Sequence, residues 1–296
     1  MSRKSVSIVI RTYNEEEHLD ELLNSIQKQI YDYEIEVVIV DSGSTDDTLK
    51  IAKKYSCKII HIKKSDFTFG RSLNYGCDAA KGEFLLFISG HCIPTNEFWV
   101  DNLVEPYKEE SIVMTYGRQI GVEESKFSEH QIFSKYFPDY DKVPQSGFFS
   151  NNANSSVRKK TWDKNKFNEE LTGLEDMYWA KKMVNEGKKI AYKSNAKVFH
   201  IHNESWRQIK IRYEREAIAL QNIMPEIHLS FMDFCRYLFV GVLSDISKAL
   251  EESSLLGNFW EIILFRFCQY YGAYKGNHEH RKLSKKRKEK YFYPTK

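Results

Sequence analysis

The chain has 296 residues, 42% of them hydrophobic, and a formal net charge of +3, enough for one large α/β domain with an appendage or two modest domains. So small a charge sets no global field toward nucleic acid, although the final stretch, HRKLSKKRKEKYFYPTK, concentrates basic residues. The five cysteines (Cys57, Cys77, Cys92, Cys235, Cys268) are odd in number and never form a CxxC pair, which argues against a disulfide framework or a zinc site and for reduced cytoplasmic thiols.

In chain order, VSIVI (6–10) is a short β-branched run ending in the polar turn RTYNEEEH, after which Leu19, Leu22, Leu23 and Ile26 recur at helical spacing. EVVIVD (36–41) predicts a second buried strand, SGSTDDT a turn, and TLKIAKKY a helix. KIIHI (58–62) predicts the third strand, residues 72–81 a helix, and FLLFIS (84–89) the fourth strand. Apolar strands alternating with helices of about ten residues predict right-handed crossovers and a mainly parallel sheet. Ligands of such sheets gather at the carboxyl ends of the strands, which selects the loops Arg11–Glu16, Asp41–Asp47, Phe67–Arg71 and Ser89–Pro94.

Beyond residue 110 the rhythm changes. IVMTYGRQIG predicts a strand, 123–150 show no clear period, and NNANSSVRKK reads as a loop. LEDMYWAKKMVNE (174–186) fits a helix stopped by Gly187, KIAYKSNAKVFHIH two short strands, and 204–222 a charged helix. Two mixed apolar helices, about 229–250 and 255–275, form an added helical module. The start of the chain shows no signal-peptide core, and no stretch approaches about 18 uncharged apolar residues, so a cytoplasmic protein without a membrane span is expected.

Thr12 and Asn14 stand where a strand feeds a helix and could hydrogen-bond a nucleotide; plain capping by Asn14 is the alternative. Asp41 closes a buried strand, where a carboxylate needs partners. It can accept from the N–H of a base, or be satisfied by the amides of its own turn. Glu175 and Asp176 open a helix, where the N-terminal dipole favours ionised carboxylates. His200 and His202 alternate, and as strand residues would share a face.

Taken in order, SIVIRTYNEEEHL, VVIVDSGSTDDT, FGRSLNYGCDAAKGEFLLFIS, GLEDMYWAKKM and VFHIH resemble the family 2 glycosyltransferases of the GT-A fold over roughly residues 5–215. The resemblance implies a Rossmann-type α/β sheet domain over 1–225, a helical C-terminal extension over 226–296, a nucleotide-sugar donor and inversion at the anomeric carbon. It places Thr12, Asn14, Glu15 and Ser44 at the donor, Asp41 on the nucleobase, and Arg71 and Asn74 beside the diphosphate or sugar. Asp176 becomes the general base and Glu175 its companion; Asn152, Asn154 and Arg158 fall on the acceptor side.

The family closes its fourth strand with Asp-x-Asp, whose carboxylate holds a divalent cation on the donor phosphates. Here Ser89-Gly90-His91 stands in its place, as in a subgroup seen in bacterial surface-polysaccharide synthesis. The leaving nucleotide still needs its charge stabilised. His91 could ligate Mn²⁺ or Mg²⁺ together with His200, with His202 the weaker third; it could donate to phosphate directly; or the site could bind without catalysis. The expected function is transfer of a sugar to a glycan or lipid-linked glycan hydroxyl in capsule, O-antigen or envelope polysaccharide assembly. The alternatives are a non-catalytic sugar-nucleotide binder and, third, a nucleotidyltransferase, for which RTYNEEEH is too acidic. The basic tail, with Tyr291, Phe292 and Tyr293, is either solvated or adheres to anionic membrane at the inner face; its shortness argues against nucleic acid.

Overall fold

The computed structural model describes residues 5–279 and 285–294. Its strands are β1 (Ser5–Thr12), β2 (Glu34–Asp41), β3 (Lys58–His61), β4 (Phe84–Ser89), β5 (Cys92–Pro94), β6 (Ile112–Ile120), β7 (Asn154–Arg158) and β8 (Lys189–His200). Its helices are α1 (Glu16–Gln27), α2 (Thr48–Lys54), α3 (Phe69–Ala79), α4 (Trp99–Val104), α5 (Phe127–Tyr136), α6 (Lys159–Lys164), α7 (Glu175–Asn185), α8 (Trp206–Ile223), α9 (Phe231–Glu251), α10 (Leu255–Asn277) and α11 (Lys285–Phe292). The chain packs as two compact units. The first comprises Met1–Val122, Phe137–Glu170 and Glu175–Ile201, and the second Glu123–Tyr136, Leu171–Leu174 and His202–Lys296. The sequence reading set its division at 225/226, whereas the packing units exchange at 201/202.

The first unit is built on one sheet in the order β3-β2-β1-β4-β7-β6-β8-β5. β1, β2, β3 and β4 run parallel, as do β6 and β8, while β7 and β5 run antiparallel to their neighbours. The central strands are apolar runs because helices cover both faces: Ile8, Ile10, Val38, Ile39, Leu85 and Leu86 are fully buried. α1 lays Leu19, Leu22, Leu23 and Ile26 into the core, on the spacing read from the sequence. Register aligns Thr12 with Asp41, Arg11 with Ser89 and Asp41 with His61. The loops selected from the sequence therefore leave one edge of the sheet together.

Two expectations are corrected. NNANSSVRKK is not simply a loop: its core is β7, a strand inside the sheet, in which Asn154, Ser155 and Ser156 are wholly buried. Polar residues are tolerated there because each is bonded: Asn154 Oδ1 accepts from Trp99 Nε1 (2.8 Å), Ser155 Oγ donates to Asn152 Oδ1 (2.8 Å), and Ser156 Oγ meets the Tyr107 hydroxyl (2.8 Å). KIAYKSNAKVFHIH forms one long strand, β8, that ends at His200, so His202 lies beyond it.

The second unit is helical. α10 packs on α8 and α9, and α5 joins them. Capping boxes start α8 at Ser205/Gln208 and α9 at Ser230/Asp233. A buried ion pair ties α9 to α10: Arg266 Nε and Nη2 each donate to Asp245 at 2.7 Å, and Ser128 Oγ donates to the same carboxylate at 2.6 Å. Among the described residues no helix is long and apolar enough to cross a membrane. Of the basic tail expected at a membrane, 280–284 and 295–296 lie outside the described residues; within the part that is described, Tyr291 is buried against Ile211 and Ile218 and its hydroxyl donates to Glu214 at 3.0 Å, which corrects its reading as an exposed interfacial aromatic.

Candidate active site

The turns after β1 and β2 lock each other. Asn14, in left-handed conformation (φ 56), accepts from Thr45 N–H at 2.8 Å and donates its own N–H to Ser44 Oγ at 2.9 Å. Asn tolerates that conformation better than most residues. Glu15 N–H donates to Thr48 Oγ1 at 2.8 Å. At the centre sits Asp41, with no exposure. Its carboxylate accepts from Gly43 N–H (2.9 Å), Ser44 N–H (3.0 Å), Ser44 Oγ (2.5 Å) and Thr12 Oγ1 (3.1 Å). The turn thus satisfies Asp41, the second of the two readings open from the sequence, and the carboxylate is enclosed. Thr12 and Ser44 are drawn inward with it.

Ser89, Gly90 and His91 follow β4. Ser89 N–H donates to Ala153 O at 3.3 Å. His91 stands at the rim, its side chain 31% exposed, with Nδ1 3.0 Å from Glu15 Oε1. Gly90 makes this approach possible, since a Cβ there would lie 2.8 Å from Glu15 Cγ. Cys92 pairs in register with His200, and Ile201 N–H donates to His91 O at 3.1 Å. The two imidazoles consequently stack, with centroids 5.3 Å apart and planes at 19°, and their ligand atoms lie within 4.8 Å of one another. His200 Nδ1 is 2.6 Å from Gln119 Oε1. Both Nδ1 atoms face oxygen acceptors, which in the neutral rings assigns the proton to Nδ1 and the basic lone pair to Nε2.

Glu175 and Asp176 open α7 directly after Leu174, a non-glycine residue at φ 55. Strain of this kind, about 1–3 kcal/mol, is typical of functional positions. Asp176 is buried and accepts from Asn152 N–H and from its neighbour Met177 N–H, both at 2.7 Å. Burial first, and the adjacent Glu175 charge second, push the Asp176 carboxyl up to about 7, against the pull of those amides and of Arg11. Arg11 Nη1 donates to Glu175 Oε1 at 3.2 Å and to Phe69 O at 3.4 Å, and Asn152 Nδ2 reaches Glu175 at 3.5 Å. The acid pair and the imidazole pair share the same edge: Asp176 is bonded to Asn152, whose neighbour Ala153 is bonded to Ser89.

Arg11 and Gln119 were missed in the sequence. An arginine closing an otherwise apolar strand was the available signal for Arg11; Gln119, inside a mixed strand, gave none. The other expected residues make bonds of their own within the protein. Asn74 is a buried pin, taking Trp162 Nε1 (3.2 Å) and Phe167 N–H (3.1 Å) and donating to Phe167 O (3.0 Å) and Glu169 (2.9 Å). Arg71 is held by Glu169 (2.8 Å) and Asp66 O (2.7 Å). Asn154 bridges strands through Arg118 O (3.0 Å) and Ala196 O (2.7 Å). Arg158 pairs with Phe84, at the start of β4 and so at the opposite edge from Ser89, where it donates to Ile112 O and Tyr107 O. His202 belongs to the helical unit, 2.7 Å from Glu129, whose carboxyl burial pushes up and His202 and Arg212 hold down at about 2.

A mainly parallel sheet that carries an acid pair and an imidazole pair at one carboxyl edge is the architecture of the GT-A glycosyltransferases. The Glycosyl transferase family 2 profile matches residues 7–165; the chain belongs to this family and is a glycosyltransferase. It is 26% identical to the O-antigen chain rhamnosyltransferase WbaN of Salmonella anatum over 303 residues, covering 92% of this chain and 95% of that one. Its fold is similar to the mannosyltransferase PcManGT of Pyrobaculum calidifontis in complex with GDP-Man and Mn²⁺ (TM-score 0.58, 15% identity, 96% of this chain and 77% of that one). It is also similar to S. aureus TarS 1-349 in complex with UDP (TM-score 0.57, 19% identity, 94% and 93%).

Proposed function

We propose that this glycosyltransferase moves a sugar, with inversion, from a nucleoside-diphosphate donor to a hydroxyl of a glycan or lipid-linked glycan in envelope polysaccharide assembly. The supporting observation is the edge that joins Asp176, through Asn152 and Ala153, to Ser89 and the His91/His200 pair. Asp176 takes the proton of the acceptor hydroxyl as that oxygen bonds to the anomeric carbon and the bond from sugar to phosphate breaks. Its raised proton affinity suits a base working near neutral pH. Arg11 and Asn152 position Glu175, and Glu175 raises the basicity of its neighbour.

On the departing side, His91 follows the fourth strand, where the family carries Asp-x-Asp, and His200 stacks on it. Their Nδ1 atoms lean on Glu15 and Gln119, the outer support that metal-bound imidazoles carry. The pair therefore fits a transition ion such as Mn²⁺ better than Mg²⁺. A divalent cation held by His91 and His200 would supply positive charge to the diphosphate. Relatives named for O-antigen synthesis, and the nucleotide complexes of similar folds, support the donor class and the pathway. The basic tail gains adhesion to anionic lipid near a lipid-linked acceptor.

The test is thermal unfolding of the full chain with UDP-, GDP-, dTDP- and CMP-sugars, each with and without Mn²⁺. One diphosphate series should raise Tm, and more with Mn²⁺; no stabilisation by any nucleotide rejects the proposal.

A further inference from the structure

The helical unit carries an exposed apolar surface on two of its helices. On α9, Met232 (75% exposed), Phe239 (64%), Leu243 and Leu250 stand outward, with Val240 beside them, while Gly241, Asp245 and Ala249 point into the unit. On α10, Leu256, Trp260 (72%), Leu264 and Phe267 are exposed, while Ile262, Phe265 and Arg266 are buried. The Phe234 ring meets Phe267 at 6.3 Å and Tyr271 at 6.2 Å, so the two faces border one another.

The spacing is specific. Met232, Arg236, Phe239, Leu243, Ile246 and Leu250 alternate steps of four and three, and Trp260, Leu264, Phe267, Tyr271 and Tyr274 do the same. That is the seam of helices that pack on other helices. We infer that α9 and α10 form an isologous interface with a second copy of this chain, two hairpins closing into a four-helix bundle with its two-fold axis at Leu243.

Area and charge support this occupant. The exposed apolar side chains, at roughly 100 Å² each, offer on the order of 900 Å² per copy, against about 800 Å² per partner in a stable interface. With α9 antiparallel to itself about Leu243, Arg236 falls opposite Leu250 and Glu251 of the partner subunit, since both lie about 10 Å from the axis at 1.5 Å per residue. Glu251 is exposed and, with Glu252, shares a single lysine, Lys248, so the end of α9 retains negative charge for Arg236. A bilayer fits less well. A helix lying on anionic lipid carries basic flanks, whereas Glu251 and Glu252 make the C-terminal end of α9 acidic and Arg236 interrupts its seam.

Light scattering of the full chain across about 1–100 μM, a range that brackets a micromolar Kd, tests this. The wild type should be a dimer. Leu243→Glu, which sets two like charges against each other on the axis, should raise Kd on the order of a hundredfold or more while leaving the single copy folded, because Leu243 is half exposed there, and its Tm should lose the concentration dependence that dimerisation gives the wild type. Trp260→Glu should act the same way on the second helix. Arg236→Glu should weaken the dimer, and Arg236→Glu with Glu251→Arg should restore it. A wild type that stays monomeric throughout, or a Leu243→Glu variant that dimerises normally, overturns the inference. So does a lipid-free monomer that sediments with phosphatidylglycerol vesicles as wild type but not as Leu243→Glu, which would assign the seam, as distinct from the basic tail, to a membrane.

Discussion

Replacing Asp176 by Asn separates the catalytic role of the carboxyl from its structural cost. The side chain accepts two backbone N–H bonds at 2.7 Å. An amide can mirror only one of them, and the other N–H then faces an NH₂ group, at a cost of about 1–3 kcal/mol. Acting against this is the energy of holding a charge there. In the unfolded chain the group ionises near 3.8, and in the folded chain near 7. Between those values the folded chain keeps a proton that the unfolded chain has released, so wild-type stability falls as pH rises across that window, by up to about 4 kcal/mol. The variant lacks this slope. Denaturant unfolding at pH 5 and pH 8 should show Asp176→Asn losing at the lower pH and drawing level with or passing the wild type at the higher. Turnover, measured as nucleoside diphosphate released, should fall by about 10²–10⁴ if a general base has been removed, while nucleotide-induced stabilisation survives. Wild-type kcat/KM should rise with pH through neutrality as Asp176 ionises. Turnover within tenfold of wild type, or stability curves that run parallel with pH, would refute the assignment.

Gly90→Ala should drive Glu15 off His91 through the Cβ contact at 2.8 Å, weakening Mn²⁺-dependent nucleotide stabilisation by about 10–100-fold in apparent affinity; an unchanged Mn²⁺ titration would dissociate Glu15 from the site. Arg158→Lys loses the fork onto the Ile112 and Tyr107 carbonyls and should cost about 1–3 kcal/mol in denaturant unfolding, with kcat and KM unmoved; a raised acceptor KM would return Arg158 to the acceptor. Asp245→Asn strips the buried Arg266 of its counter-charge and should destabilise the helical unit by about 3–5 kcal/mol, read as a lowered Tm, while the free-energy gain on adding donor stays the same.

How much of this was legible in the sequence follows from what each segment has to satisfy. FLLFIS is buried on both faces, so hydropathy alone located β4 at Phe84–Ser89. β7 is buried as deeply, yet its Asn and Ser side chains meet their needs through Trp99, Asn152 and Tyr107, partners remote in sequence that no local pattern reveals. The same rule divides the site. The position of Asp176 was readable because a helix start and a neighbouring charge are local properties, while its role as a base came from the resemblance. Asp41 was readable as a place but not as a role, since whether a carboxylate at a strand end faces a ligand or its own turn depends on how the loop closes. Asn74 and Arg158 fall on the same side of that divide: their bonding groups are satisfied by Phe167 and Tyr107, residues far along the chain. His91 shows the converse. Its neighbours in sequence said only that the strand had ended, and its chemistry is supplied by Glu15 from one loop and His200 from a strand more than a hundred residues away. The placement of this ring thus draws on three separate parts of the chain: Glu15, whose carboxylate meets its Nδ1, Gly90, whose missing side chain lets that carboxylate approach, and His200, whose ring stacks on it.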